Sequence, residues 1–200
     1  MVGSDFLTSY NEFMKPFYLQ TIPKDKRPLF VPDFTADSVL DIDFKALKKL
    51  GVKHLLIDLD LTLRKKMTRK LEPATIKFLM DIMKHHGFSS LNIASNNMLN
   101  LTGYGVSLKA RVFQPFWHRW WIVRKPNKLF FQKILTALQA DPVECVMIGD
   151  KLRGDVYGGN TSGLFTVLVK PNGFDYWYDR ILFTRRRERR VMKRYLEPAE

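Results

Sequence analysis

Residues 54–64 read HLLIDLDLTLR. The apolar run Leu55, Leu56, Ile57 stops at Asp58; a second carboxylate, Asp60, follows after one apolar residue, and Thr62 after another. A short apolar run of this kind, ending abruptly in polar residues, reads as a strand buried on both faces. Two carboxylates at the end of such a strand offer hard oxygen ligands suited to Mg²⁺, and they can also supply a nucleophile and a proton carrier. The plain alternative is a solvated turn with a helix cap, and the elements downstream weigh against it.

Working outward, strands are predicted at 53–58, 90–94, 120–123, 144–148 and 164–169. Helices are predicted between them at 73–86, 98–110, 127–139 and 153–162, and a short one from Phe44 to Leu50 precedes them. Pro73 suits a first helical turn, while Gly51, Gly87 and Gly163 suit helix stops. Alternating strands and helices with apolar strands imply an α/β fold, a three-layer Rossmann-like parallel sheet covered on both faces. Residues 1–36 read as an N-terminal amphipathic segment and linker, 37–174 as the α/β domain, and 175–200 as a basic, aromatic C-terminal tail.

The polar residues that stand out recur at one kind of place. Asp58 ends the first predicted strand, Ser95 follows the second, Lys125 the third, and Asp150 the fourth, with Asp155 five residues on. Open parallel sheets put ligand sites at the carboxyl ends of their strands. Taken singly, Ser95 and Asn96 could be turn and N-cap residues, Lys125 a surface lysine, and Asp155 a carboxylate favoured by a helix dipole. Their common placement is what gives them weight.

In sequence these residues resemble the four motifs of the haloacid-dehalogenase-like (HAD) phosphohydrolase superfamily. The first is Asp58-Leu59-Asp60-Leu61-Thr62, the second Ser95 in IASNN, the third Lys125 in VRKPNK, and the fourth Asp150 and Asp155 in GDKLRGD. The resemblance spans about residues 53–170. Ser95-Asn96-Asn97, Arg124-Lys125-Pro126 and the run from Gly149 to Asn160 are similar to a cap-less subfamily that includes phosphatidylglycerophosphate phosphatases and bacterial relatives. Two positions depart from that pattern: Leu61 stands where Asn is common and Gly154 where Thr is common. The aromatic stretch Phe113, Phe116, Trp117, Trp120, Trp121 is also unusual for the group.

The resemblance implies a mechanism. Asp58 attacks phosphorus to form an aspartyl-phosphate, and Asp60 serves as acid and then base. Mg²⁺ is held by Asp58, the Asp60 main-chain carbonyl and Asp150. Ser95, Asn96 and Lys125 bind the phosphate, Asp155 orients the metal's water shell, and Thr62 braces the loop. The expected substrate is phosphatidylglycerophosphate at a membrane surface. The alternative is a soluble phosphate ester, nucleotide or phosphoprotein.

Composition narrows the partner. A formal net charge of +13 on 200 residues implies an anionic one. No nucleic-acid-binding motif is visible, whereas the gap from Thr62 to Pro73 and the stretch from Asn97 to Lys125 are too short to hold a cap domain, which leaves a site open to a bulky or surface-presented substrate. The N-terminal stripe Phe6, Tyr10, Phe13, Phe17 and the tail from Trp177 through Arg185–Arg190 read as segments for an anionic phospholipid membrane. With no signal-like start and no long apolar run, the chain reads as cytoplasmic and peripherally membrane-associated. The single cysteine, Cys145, sits in an apolar run and reads as an inert buried thiol. The sequence leaves the oligomeric state open.

Overall fold

The computed structural model describes residues 29–65, 68 and 70–173. The N-terminal stripe Phe6, Tyr10, Phe13, Phe17 and the basic tail from residue 175 lie outside them. The elements, in chain order, are strand β1 (Phe34–Ala36), helix α1 (Phe44–Lys49), β2 (His54–Ile57), α2 (Pro73–His86), β3 (Ser90–Ala94), α3 (Thr102–Leu108) and β4 (Arg111–Phe113). They continue with β5 (Phe116–His118), β6 (Trp121–Val123), α4 (Lys128–Leu138), β7 (Cys145–Gly149), a π-helical turn (Leu152–Tyr157), α5 (Gly158–Thr161) and β8 (Phe165–Val169).

Six strands form one sheet in the order β1-β8-β7-β2-β3-β4, with every pairing parallel. The side-chain period of two divides the apolar runs between the faces. Leu55 and Ile57 of β2 pack on one side with Phe44, Leu47, Leu79 and Leu108 from α1, α2 and α3. Leu56 and Met147 pack on the other with Phe130, Phe131 and Ile134 from α4. Both faces are therefore dry, as the fold class expected from sequence requires. Helix α2 starts with Pro73 at its first turn and stops at Gly87, which adopts φ +63°. Cys145 is buried in β7, and burial together with the charges of Glu144 and Asp141 pushes its thiol up to about 12.

The middle of the chain corrects the sequence reading. Residues 120–123 do not form a strand of the main sheet: Trp121–Val123 pairs with Phe116–His118 as a separate antiparallel ribbon. The strand beside β3 is Arg111–Phe113, and the helix expected over 98–110 shortens to Thr102–Leu108, ended by Lys109 at φ +49°. Strands of three residues are too short to show alternation, so periodicity cannot separate a sheet strand from a hairpin arm. The helix expected at 153–162 begins instead with the π-helical turn. The edge strand β1 has no sequence signal of its own.

Leu61, the departure in the first motif, adopts φ +66°. That left-handed conformation costs a leucine ~1–2 kcal/mol and an asparagine less. The Leu61 side chain is fully buried, which contributes ~2 kcal/mol and offsets the strain. Gly154, the other departure, has only an ordinary contact 3.7 Å from where a Cβ would sit, and nothing in the structure requires glycine there.

Gly158 is different. A Cβ there would lie 2.7 Å from Phe131 Cε2 and 3.1 Å from the Pro126 backbone. Gly158→Ala should therefore cost about 1–3 kcal/mol by overpacking, read as a lower urea midpoint, whereas Gly154→Ala should leave the midpoint unchanged or raised.

Candidate active site

In the sheet order, β7, β2 and β3 are neighbours, and the chain crosses from one side of β2 to the other between β4 and β7. Parallel sheets bind ligands at such a switch point. Asp58 leaves β2 with its N–H still donating to Ile148 O (2.9 Å), Ser95 leaves β3 with its N–H donating to Phe113 O (3.0 Å), and Asp150 follows Gly149 of β7. The ladders thus fix the backbone of each functional residue.

Lys125 does not come off a sheet strand as expected; it follows β6 of the ribbon. What positions it is Asn96. The Asn96 side-chain amide donates to Lys125 O and accepts from Lys125 N–H, each at 2.9 Å. The ammonium so placed donates to Asp58 Oδ1 (2.7 Å) and to Asp155 Oδ1 (2.6 Å), and all three groups are buried. Asn96, expected as a phosphate ligand, thus has both polar atoms of its side chain engaged on the lysine that faces the site.

Asp155 sits on the π-helical turn, and its Oδ2 accepts from Lys151 N–H at 3.0 Å. Its carboxylate lies against Gly149, where a Cβ would come within 2.2 Å of Oδ2. Only glycine permits that approach. Asp58, Asp150 and Asp155 offer carboxylate oxygens that lie within 4.8 Å of one another, a group able to hold a metal ion. Thr62 Oγ1 donates to Asp150 Oδ1 at a long 3.4 Å. Ser95, also buried, accepts from Asn97 N–H through Oγ at 3.1 Å.

The Asp60 side chain stands outside that carboxylate group. It accepts from Arg64 Nε (2.8 Å) and from a second guanidinium nitrogen (2.5 Å) at Oδ1, and from Asn97 Nδ2 (2.9 Å) at Oδ2. Arg64 in turn bonds the Tyr104 hydroxyl. Sequence reasoning assigned no role to Arg64, Tyr104 or Gln114. The four-residue spacing of Asp60 and Arg64 was the one visible signal; Tyr104 from α3, Asn97 from the loop after β3, and Gln114, which donates to Asn97 O, are brought in only by the fold.

The electrostatics are dominated by burial. Desolvation pushes the Asp58 carboxyl up to about 7 despite Lys125, with the charges of Asp155 and Asp150 adding to the rise. Burial alone would lower Lys125, but Asp155 and Asp58 outweigh it and hold the ammonium above its ordinary range. Two buried carboxylates thus hold the ammonium, and Asp150 brings a third close to both. Three buried carboxylates within reach of one another suit a hard divalent cation on oxygen ligands.

Comparisons with known proteins agree with this chemistry. A family model described as HAD-hydrolase-like matches residues 122–175, which contain Lys125, Asp150 and Asp155. The chain is 30% identical over 167 residues to the probable phosphatase YqeG of Bacillus subtilis (strain 168), covering 83% of this chain and 91% of that protein. A shorter match, 42% identical over 48 residues, is to the glyceraldehyde 3-phosphate phosphatase of Pyrococcus furiosus; it covers 24% of this chain and 20% of that protein. Among solved structures, an uncharacterized protein from Listeria monocytogenes serotype 4b aligns with 68% of this chain and 99% of its own at 16% identity and a TM-score of 0.48.

The raised Asp58 has a measurable consequence. A carboxyl whose value rises from 3.8 to about 7 on folding favours the protonated fold. The stability it contributes is complete below the unfolded value and is lost as pH rises through about 7. In metal-free protein, Asp58→Asn should therefore be more stable than wild type at pH 8, by about 2–4 kcal/mol, with the gap narrowing toward pH 5. Thermal melts in chelator across that range read it out; a gap that widens toward acid would refute the assignment.

Proposed function

We propose, for a chain that belongs to the family of HAD-like hydrolases, that it is a Mg²⁺-dependent phosphatase that converts phosphatidylglycerophosphate to phosphatidylglycerol at a membrane surface. The observation that carries the hydrolase chemistry is the buried group of Asp58, Asp150 and Asp155, with Lys125 held between Asp58 and Asp155. The lipid substrate is supported by the SNN and RKP motifs, and by the absence of a cap domain among the described residues. Between Asn97 and Lys125 the chain adds α3 and β4 to the core and then the β5–β6 ribbon. Among the described residues no helix is long and apolar enough to cross a membrane.

The residues present fit Mg²⁺: Asp58 and Asp150 would hold it with the Asp60 main-chain carbonyl, and Asp155, fixed by Lys125 and Lys151 N–H, would orient its water shell. Bound there, the ion offsets the repulsion between an attacking carboxylate and a phosphate. The Asp58 carboxylate attacks phosphorus, the bond to the leaving alkoxide breaks, and Asp60 gives that oxygen its proton. Asp60 then takes a proton from the water that attacks the aspartyl-phosphate, which frees inorganic phosphate and restores Asp58. Asn97 and Arg64 fix the Asp60 carboxylate for both steps. Because Ser95 Oγ accepts from Asn97 N–H, its own O–H is directed to a phosphoryl oxygen. Lys125 keeps its charge throughout and adds a second cation beside the phosphoryl group.

The test is phosphate release from phosphatidylglycerophosphate in mixed micelles with Mg²⁺. Turnover should require Mg²⁺, exceed that on soluble esters, and fall at least about a thousandfold in Asp58→Asn. Faster turnover of glyceraldehyde 3-phosphate than of the lipid would discard the lipid and favour a soluble ester, the reading to which the short match to the archaeal phosphatase points. Absence of turnover on either would refute the catalytic reading.

A further inference from the structure

Three of the chain's four tryptophans, Trp117, Trp120 and Trp121, stand on the β5–β6 hairpin and are 70%, 84% and 55% exposed. Burial falls steadily along this ribbon. At its base Phe116 pairs with the fully buried Val123, and Lys133 Nζ lies 3.9 Å above the Phe116 ring. Trp117 then faces Ile122 and His118 faces Trp121, with Arg119 and Trp120 at the turn. The base is core; the tip is bare aromatic surface. Large apolar side chains clustered in water mark an interaction site more often than chance exposure.

A second apolar pair stands near the same edge of the sheet. Met98 and Leu99, on the loop after Ser95, are both exposed. Gln114, just before the hairpin, donates to Asn97 O (2.8 Å) and Leu99 O (2.6 Å), so the loop and the hairpin are tied together. The charge of this region has one sign. No Asp or Glu lies between Asp81 and Asp141, whereas Lys109, Arg111, Arg119, Arg124, Lys128 and Lys133 do.

We infer that the β5–β6 hairpin, with Met98 and Leu99, is a docking surface for an anionic phospholipid membrane. The inference rests on the reading of the substrate as a lipid and adds the element that engages the surface. Tryptophan, with an apolar body and an N–H donor, partitions to the headgroup boundary. Arginine and lysine beside it meet lipid phosphates, and an acid-free stretch avoids repulsion from them. Single-stranded nucleic acid would use the same arginines and rings. Met98, Leu99 and Ile122 have no π-face for a base to stack on, and their burial among acyl chains is favourable, so the observations favour lipid. Because Lys125 follows the ribbon by one residue beyond Arg124, a docked hairpin brings the catalytic lysine to the headgroup layer.

The hairpin carries its own probe. In a Trp177→Phe background, all indole fluorescence reports on it. Full-length protein is titrated with phosphatidylcholine vesicles containing or lacking phosphatidylglycerol, with bromine-labelled acyl chains as quencher and no phosphorylated substrate present. Emission should shift to shorter wavelength and be quenched with the anionic vesicles only. The variant with Trp117, Trp120 and Trp121 all changed to Ser should bind these vesicles about tenfold or more weakly and lose lipid turnover by a similar factor, while keeping aryl-phosphate turnover. Absence of both shift and quenching, undiminished vesicle binding by the triple variant, or a response to single-stranded oligonucleotide without one to vesicles would each overturn the inference. Since the vesicles hold no substrate, docking without turnover of phosphatidylglycerophosphate would sink the substrate reading alone, and turnover in micelles without docking would sink the hairpin alone.

Discussion

The interaction on which the rest of the site depends is the buried contact of the Lys125 ammonium with Asp58 and Asp155. A lysine taken out of water costs several kcal/mol unless its charge is met. Here it is met twice, by carboxylates from two different elements. The contact therefore ties the end of β2, the segment after β6 and the π-helical turn into one arrangement, and the Asn96 amide adds the end of β3. The same ammonium is what allows two carboxylates to share a dry pocket at all. The third carboxylate, Asp150, lies close to both, and the three together offer oxygen ligands to a divalent cation.

A parallel sheet supplies the geometry for this contact. With all strands running one way, the polar residues that end β2, β3 and β7 collect at a single edge, while everything behind them is apolar packing on two faces. Small residues make the remaining adjustments. Gly149 lets the Asp155 carboxylate approach β7, and Gly158 lets the following helix lie on Phe131. At Leu61 the chain takes a left-handed turn without glycine or asparagine, and burial of the leucine side chain outweighs the strain.

The catalytic edge and the exposed surface are mechanically joined. Asp60 is held by Asn97, the loop that carries Asn97 is held by Gln114, and Gln114 leads into the aromatic hairpin. On its other side the hairpin descends through buried Val123 to Lys125. A force applied at the tryptophans would reach both the Asp60 carboxylate and Lys125 through hydrogen-bonded and packed groups. This is the physical basis on which surface binding and chemistry could influence one another.

The sequence alone determined the parallel α/β core and which polar residues gather at its edge, because both are written in local signals. Leu55 to Ile57 and Cys145 to Ile148 are apolar runs that read as buried strands, the first followed by Asp58 and the second by Gly149 and Asp150. Helix α2 is bracketed by Pro73 and Gly87. The tertiary structure decided what depends on pairing over distance. Arg111–Phe113 and Trp121–Val123 are equally short and ambiguous, and only the partner each one finds makes the first a sheet strand and the second a hairpin arm. The same holds for Asn96 bracing Lys125, and for Arg64 and Asn97 gripping Asp60: a side chain's partner is set by where the fold carries it. Most of all, the sequence registered the tryptophans as unusual, but exposure is a property of the folded surface, and no spacing of residues announces it.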